Sequence, residues 1–333
     1  MNAEYCLGLK LTADILAEIG MEGAEELQAE AERYRQDIRA AAERSIALSP
    51  VLPVGDGTYR RYMPPGLYMR KSMLGWHKEV TSGAMWLVGE DRIFDANEPI
   101  AQELLDVVEE VLQAGDTQTA DWLSKGGTGS QTGWERHKAL YLLCDDIAPF
   151  WRAIYNGYAG DIRPWEDQDK HAHYRFQDGR LSDGVIAGKA GAYTFCEHPQ
   201  GGSPDKTHGE AVFLEYIRNV LVMEIGDALW IARATPRIWL EHGKRIAVKN
   251  VPTYYGTLAY EILSDVAHGK ISATVEMPSR KPPKEVVLRF RHPKSAPIKA
   301  VTVNGKPWTE FNKDKETIAL KGLTGRVAVT ARY

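Results

Sequence analysis

"GDALWIARATPRIWLEHGKRIAVKNVPTYYGTLAYEI", residues 226–262, decides the fold. Up to this stretch the apolar residues recur at helical spacing; from it onward they alternate. Behind Gly226, "DALWIA", "KRIAVKN", "GTLAYEILS", "KISATVEM", "EVVLRFR", "IKAVTVNGKPW", "ETIALKG" and "GRVAVTARY" read as eight strands. Turn residues separate most of them, including Asn304-Gly305, a dipeptide suited to a two-residue hairpin. Val286, Leu288 and Phe290 alternate with polar partners, as do Val301 with Val303 and Val327 with Val329. Short strands at regular spacing predict an antiparallel β-sandwich over 227–333.

Ahead of the switch, Leu11, Ile15 and Ile19 make one apolar stripe, ended by Gly20. Leu27, Ala31, Tyr34, Ile38, Ala41, Ser45 and Leu48 make a second, stopped by Pro50. The few residues between them predict an antiparallel helical hairpin. In "ANEPIAQELLDVVEEVLQ", Asn97 is expected as N-cap and Pro99 in the first turn, with Ile100, Leu104, Val107 and Val111 inward. Further helices are expected over 136–144, 147–160 and 207–224. In the second of these, the stripe Trp151, Ile154, Tyr155 and Tyr158 is read as core. Residues 1–226 therefore form an α-helical hairpin domain. Its helices are separated by the long stretches 50–95, 114–133 and 161–206, rich in rings, glycine and charge. Connections of that length usually carry function. "VGDGTYRRYMPPGLY" reads as a short hairpin turning near Asp56-Gly57.

Composition narrows the partners. The 333 residues are 44% hydrophobic and 26% charged, with a net charge of −4 and both signs interspersed. No concentrated basic face is present for nucleic acid. No run of 18 apolar residues exists to span a membrane. The three cysteines, Cys6, Cys144 and Cys196, have no CxxC spacing and are read as free thiols. The start "MNAEYCLGLKLTADIL" lacks the succession of a signal peptide. The default expectation is a cytoplasmic protein, or a secreted or periplasmic one if a leader was removed.

Helical hairpins, long aromatic loops and a terminal sandwich together resemble the six-hairpin glycosidases. The resemblance is most specific in "LPVGDGTYRRYMPP" (52–65), "YTFCEHP" (193–199) and the stretch quoted first. That stretch looks like the crossover from the last barrel helix into the accompanying sandwich. The resemblance implies a toroid of twelve helices with a sugar cleft lined by loops. About six substantial helices are legible in this sequence, so the chain resembles the C-terminal half of such an enzyme. A half toroid leaves apolar inner faces wet, at roughly 25 cal/mol per Å². The helical part is therefore expected to form a homo-oligomer or to dock on a partner that completes it.

Glycoside cleavage uses two carboxyl groups, one kept protonated by burial or neighbouring rings. Glu197 in "TFCEHPQGGSPDKTHGEAVF" (194–213) fits the acid: Tyr193 and Phe195 precede it, His198 and Pro199 follow. The alternative is a glutamate that pairs with an arginine or caps a helix. Its partner, as base or nucleophile, is Glu135 in "TGWERHKALYLL" or Glu79 in "LGWHKEVTSGAMW". Acids at a helix start also occur for dipole reasons alone. Thr207 to Glu210 forms an S/T-x-x-E capping box, which explains Glu210 without catalysis. Trp76, Trp134 and Trp165 are expected sugar platforms, with His77, His198, Asp205 and His208 lining the cleft.

Other chemistries find less support. Cys196 and His198, His171 and His173, Asp167, Asp169 and His208 are ligand-type side chains without HExxH or paired CxxC spacing, so no metal is assigned. "GGTGSQTG" (126–133) lacks the lysine of a phosphate loop, and no GxGxxG follows a strand, so no cofactor is assigned. The expected activity is hydrolysis of O-glycosidic bonds in an oligo- or polysaccharide. The alternatives are a non-catalytic carbohydrate-binding or interaction module, and a polysaccharide lyase using Tyr, His or Lys beside Arg.

Overall fold

A computed structural model describes residues 2–64, 84–109, 137–163, 194–195 and 207–333. The chain divides into two compact units, Met1–Leu214 and Glu215–Tyr333. Among the described residues there are six α-helices and four sheets, one of them mixed and the others antiparallel. No described helix is long and apolar enough to cross a membrane.

In the first unit, α1 (Asn2–Glu18) and α2 (Ala24–Ala47) pack as a hairpin. Gly20 and Gly23 turn the chain at φ 72° and 82°, values that favour a residue without Cβ. The Cys6 thiol reaches the Ala31 carbonyl at 3.8 Å, and Gln28 donates to Asp14 at 2.9 Å, which fixes the two helices antiparallel. The residues buried along this hairpin are small: Ala3, Cys6 and Ala13 on α1, and Ala24 and Ala31 on α2.

The stripe Leu11, Ile15 and Ile19 does not face α2. It is exposed at 45%, 60% and 66%. Close approach through alanines takes the other side of α1 and leaves the large side chains outward. On α2, Ala31 and Ser45 are buried as expected, whereas Leu27 and Leu48 are exposed.

Strands β1 (Val51–Pro53) and β2 (Tyr59–Arg61) pair as the expected hairpin. Its turn is held by Asp56, which accepts from the Thr58 backbone N–H at 2.8 Å, with Gly57 at φ 82°. Helix α3 (Pro99–Val108) follows. Its N-cap is Glu98, not Asn97: Pro99 occupies the first turn, and Asn97 instead closes a turn onto Asp95. Ile100 and Leu104 are buried as expected, and Val111 lies outside the described residues.

Helices α4 (His137–Leu143) and α5 (Ile147–Asp161) lie near their expected positions. The core face of α5 is Ile147, Phe150, Ala153 and Ile154. Trp151 is only half-buried and Tyr155 is 62% exposed, so the expected core stripe is rotated by about one residue. A two-stranded pair joins β3 (Ile162–Arg163) to β4 (Thr194–Phe195).

Helix α6 (Thr207–Leu221) ends earlier than its apolar pattern suggests, because Val222–Ile225 is strand β5. Its antiparallel partner β6 (Ala228–Ile231) is the "DALWIA" run. The second unit continues with β7 (Arg245–Thr253), β8 (Gly256–Asp265), β9 (Lys270–Glu276) and β10 (Glu285–Arg289). Then come β11 (Ala300–Val303), β12 (Lys306–Trp308), β13 (Phe311–Asn312), β14 (Thr317–Leu320) and β15 (Arg326–Arg332). One sheet has the order β13-β14-β10-β6-β5 and the other β12-β11-β15-β9-β8-β7. Only the β6–β10 pairing is parallel among the pairs of these two sheets.

Both sheets contribute to one apolar core. Leu229, Ile231, Leu288, Phe290 and Ile318 come from the first, and Leu258, Ile262, Ile271, Val275, Val327 and Val329 from the second. Asn304 and Gly305 turn at φ 49° and 78°, as a two-residue hairpin between β11 and β12 requires. β10 departs from simple alternation: Val287 and Arg289 are buried along with Val286 and Leu288, as befits the central strand of its sheet.

A polar knot closes one edge of this core. Arg237 grips Glu316 through two bonds of 2.8 Å, and Glu316 also accepts from the His292 backbone at 2.9 Å. The His292 Nδ1 accepts from the backbone N–H groups of Lys294 (3.1 Å) and Ala296 (3.3 Å), and the ring lies 4.6 Å from that of Tyr333. Burial lowers the His292 pKa below its usual 6.5, with Arg237 and Lys294 adding to the shift and Glu316 opposing it. A histidine whose folded value is depressed favours folding above pH 6.5, and that stability is lost as pH falls through the folded value. The protection of β10 and β14 amides in the full chain, taken relative to the intrinsic exchange rate at each pH, is expected to fall between pH 7 and 5. In His292→Asn, whose amide oxygen can replace Nδ1 as acceptor, that fall is expected to shrink.

Candidate functional site

Glu197, Glu135 and Glu79 lie outside the described residues, as do Trp76, His77, Trp134, Trp165, His198 and Asp205. His208 falls in the first turn of α6, and its side chain is outside the description. Of the cysteines, Cys6 and Cys144 take part in no disulfide among the described residues, and Cys196 is outside them. Among the described residues, no group of three or more His, Cys, Asp or Glu side chains could hold a metal ion.

The described helices do gather titratable groups where α3, α4 and α5 meet. The buried ring of Tyr141 on α4 donates its hydroxyl to Glu109, the residue that closes α3. The other oxygen of Glu109 accepts from Arg152 on α5. One turn back on α3, Asp106 accepts from Arg60 of β2 at 2.5 Å and from Gln102 at 3.1 Å. The neighbouring Arg61 forks onto Glu103 at 2.8 Å through both Nε and Nη2. The Arg60-Arg61 dipeptide therefore ties the β1–β2 hairpin to α3 at two points three residues apart.

Asp146 stands at the N-cap position of α5 inside this group. Burial raises its pKa above the usual 3.8, and the fields of Asp106, Asp145 and Glu109 add to the shift; a hydrogen bond from Gln102 opposes it. Burial with the Glu109 bond raises the Tyr141 pKa as well. Asp146 therefore keeps its proton to a higher pH than an ordinary aspartate. Neither Asp146 nor Tyr141 stands out in the sequence. "CDDIAPF" (144–150) reads as an acid capping a helix, and "KALYLL" (138–143) as an apolar face. The distinguishing signal, Asp106 and Glu109 at the end of α3 brought beside Asp146 at the start of α5, exists only after folding.

No protein-family model matches the chain, and no curated protein matches it. Among solved structures, it is similar to an alpha-L-rhamnosidase from Dictyoglumus thermophilum at 10% identity and a TM-score of 0.42, over 98% of this chain and 31% of that one. It is similar to a GH127 beta-L-arabinofuranosidase from Geobacillus stearothermophilus T6 at 14% identity and a TM-score of 0.31, over 71% of this chain and 39% of that one. A third likeness, to a glycoside hydrolase, has 13% identity and a TM-score of 0.28, over 60% of this chain and 31% of that one. The chain thus spans 31–39% of the length of these structures.

An acid with a raised folded-state pKa loses stability as pH rises from its ordinary value through the folded one. Asn caps a helix as well as Asp, so Asp146→Asn removes the charge and keeps the cap. The variant is expected to unfold at higher urea than the native chain at pH 7. At pH 3, where the carboxyl is protonated in both states, the difference is expected to vanish.

Proposed function

We propose that the chain is the C-terminal portion of a glycosidase-type architecture, a partial helical toroid with a β-sandwich, acting on O-glycosidic bonds. Glu197 serves as proton donor, and Glu135 or Glu79 as base or nucleophile. Trp76, Trp134 and Trp165 offer flat rings to the sugar, with His77, His198, Asp205 and His208 around them. The observation that carries this reading is the order of elements among the described residues: a helical hairpin, three further helices, and a last helix that runs directly into two sheets sharing one core. That order is what the resemblance in residues 52–65, 193–199 and 226–262 implies.

Release of reducing ends from a panel of plant and bacterial polysaccharides tests the reaction. Glu197→Gln is expected to lower the rate by about 10²–10⁴-fold, the usual contribution of a positioned acid. Hydrolysis unchanged in that variant removes the assignment. Binding without turnover by the native chain favours a carbohydrate-binding module, and a rise in ultraviolet absorbance from unsaturated product favours a lyase.

The exposed stripe Leu11, Ile15 and Ile19, flanked by Tyr5 at 66% and Met21 at 54% exposure, supports self-association or docking through α1. In sedimentation velocity at micromolar concentration the native chain is expected above its monomer mass, and Ile15→Glu at it. A clean native monomer counts against association with a second copy.

A further inference from the structure

A second site lies where the end of α2, the β1–β2 hairpin and the start of α3 converge. They enclose a cavity of about 510 Å³, within the range of small-molecule sites. Its apolar wall is Ile46, Val51, Pro99 and Ile100. Its polar wall is Arg39, Glu43, Glu98 and Arg61.

The polar wall is tied together by ion pairs. Arg39 forks onto Glu98 at 2.9 and 2.6 Å, gives its Nε to Glu43 at 3.0 Å, and lies 4.6 Å over the ring of Phe94. It also donates to the Ile93 carbonyl at 3.3 Å. Arg61 is committed to Glu103 through Nε and Nη2. Each guanidinium charge is thus already met by carboxylate, so an anion finds no uncompensated cation. A cationic ligand would have to compete with Arg39 for Glu43 and Glu98. Hydrogen-bonding capacity nevertheless remains. The second oxygen of Glu43 is an acceptor and the Nη1 of Arg61 a donor, and neither makes a hydrogen bond among the described residues.

A donor and an acceptor beside aliphatic carbon, Arg61 next to Val51 across the hairpin and Glu43 one turn before Ile46, suit a molecule whose hydroxyls both give and accept while its C–H face packs on that carbon. We propose that this cavity binds a small neutral saccharide. The inference rests on the chemistry of the cavity and not on the hydrolysis proposed above; none of its residues is among the proposed catalytic groups.

Methyl-resolved NMR of the full chain, reading Ile46, Val51 and Ile100, tests it with glucose and maltose at up to tens of millimolar. Glucuronate, glucosamine and cyclohexanol serve as anionic, cationic and mainly apolar counterparts. The expected result is saturable shifts at these methyls for glucose and maltose, with weaker effects from the other three. Val51→Trp fills the cavity and is expected to abolish the response; Ala47→Met, at the lining residue that ends α2, does so if the first variant does not fold. Glu43→Gln is expected to weaken binding by about tenfold, the scale of one hydrogen bond to a charged group. Absence of saturable shifts, equal or tighter binding of glucuronate, glucosamine or cyclohexanol, or a response that survives the filled cavity overturns the proposal. The shifts report occupancy and not turnover, so an inactive chain leaves this test standing.

Discussion

The last carbonyls of a helix need partners, and in this chain that requirement is met where α6 becomes β5. The Val220 carbonyl accepts from the Ala234 N–H at 3.2 Å, and that of Leu221 from the Ala232 N–H at 2.8 Å and the Tyr260 hydroxyl at 3.0 Å. Arg218 spans the junction, forking onto Glu224 at 2.8 and 2.9 Å and donating to the carbonyls of Val222 and Pro252 at 3.1 Å. Glu224 is nearly buried at its side chain, so its charge depends on that fork. The helix end is capped by the chain that follows β6, which is why the change of period is abrupt. Continuous helix through residue 224 would withhold β5 from the edge of its sheet.

The two units differ in how legible they were. Period two survives in the β unit because each strand has one face on a common core; Val301, Val303, Val327 and Val329 land there as their spacing predicts. What spacing could not give was the junction, since Val222, Met223 and Ile225 suit a helix stripe as well as a strand, and the two-residue β13 is too short to have a period. In the helical unit the locations of helices were readable but their faces were not. Alanine counts little in an apolar stripe, yet Ala3, Ala13, Ala24 and Ala31 form the interface because small side chains let backbones approach. Leu11 and Ile15, the more conspicuous residues, turn outward.

Sites were less legible than fold for a related reason. Local sequence can place an acid beside a ring, as at Glu197, but not beside a second acid from a distant segment. The Tyr141–Glu109–Arg152 chain joins three helices, and the Arg39–Glu98 fork joins residues 59 apart in sequence. Arginine explains much of this organisation. Arg39 and Arg61 reach from α2 and the hairpin onto Glu98 and Glu103 with directional forks that a lysine could not reproduce, and Arg35 and Arg60 add single bonds to the Ile93 carbonyl and to Asp106.

The borders of the two sheets carry a consequence for how copies of this chain can meet. At one margin of the six-stranded sheet, β7 breaks register between Val248 and Val251, with Asn250 at φ 55° and Pro252 just beyond. The opposite margin, β12, is three residues long with Pro307 at its centre. The other sheet ends in a two-residue strand on one side and a four-residue strand on the other. Proline offers no N–H, and a kinked or very short strand gives an incoming chain too little straight backbone to zip against. The β unit is thereby guarded against fibril-like accretion in a crowded solution.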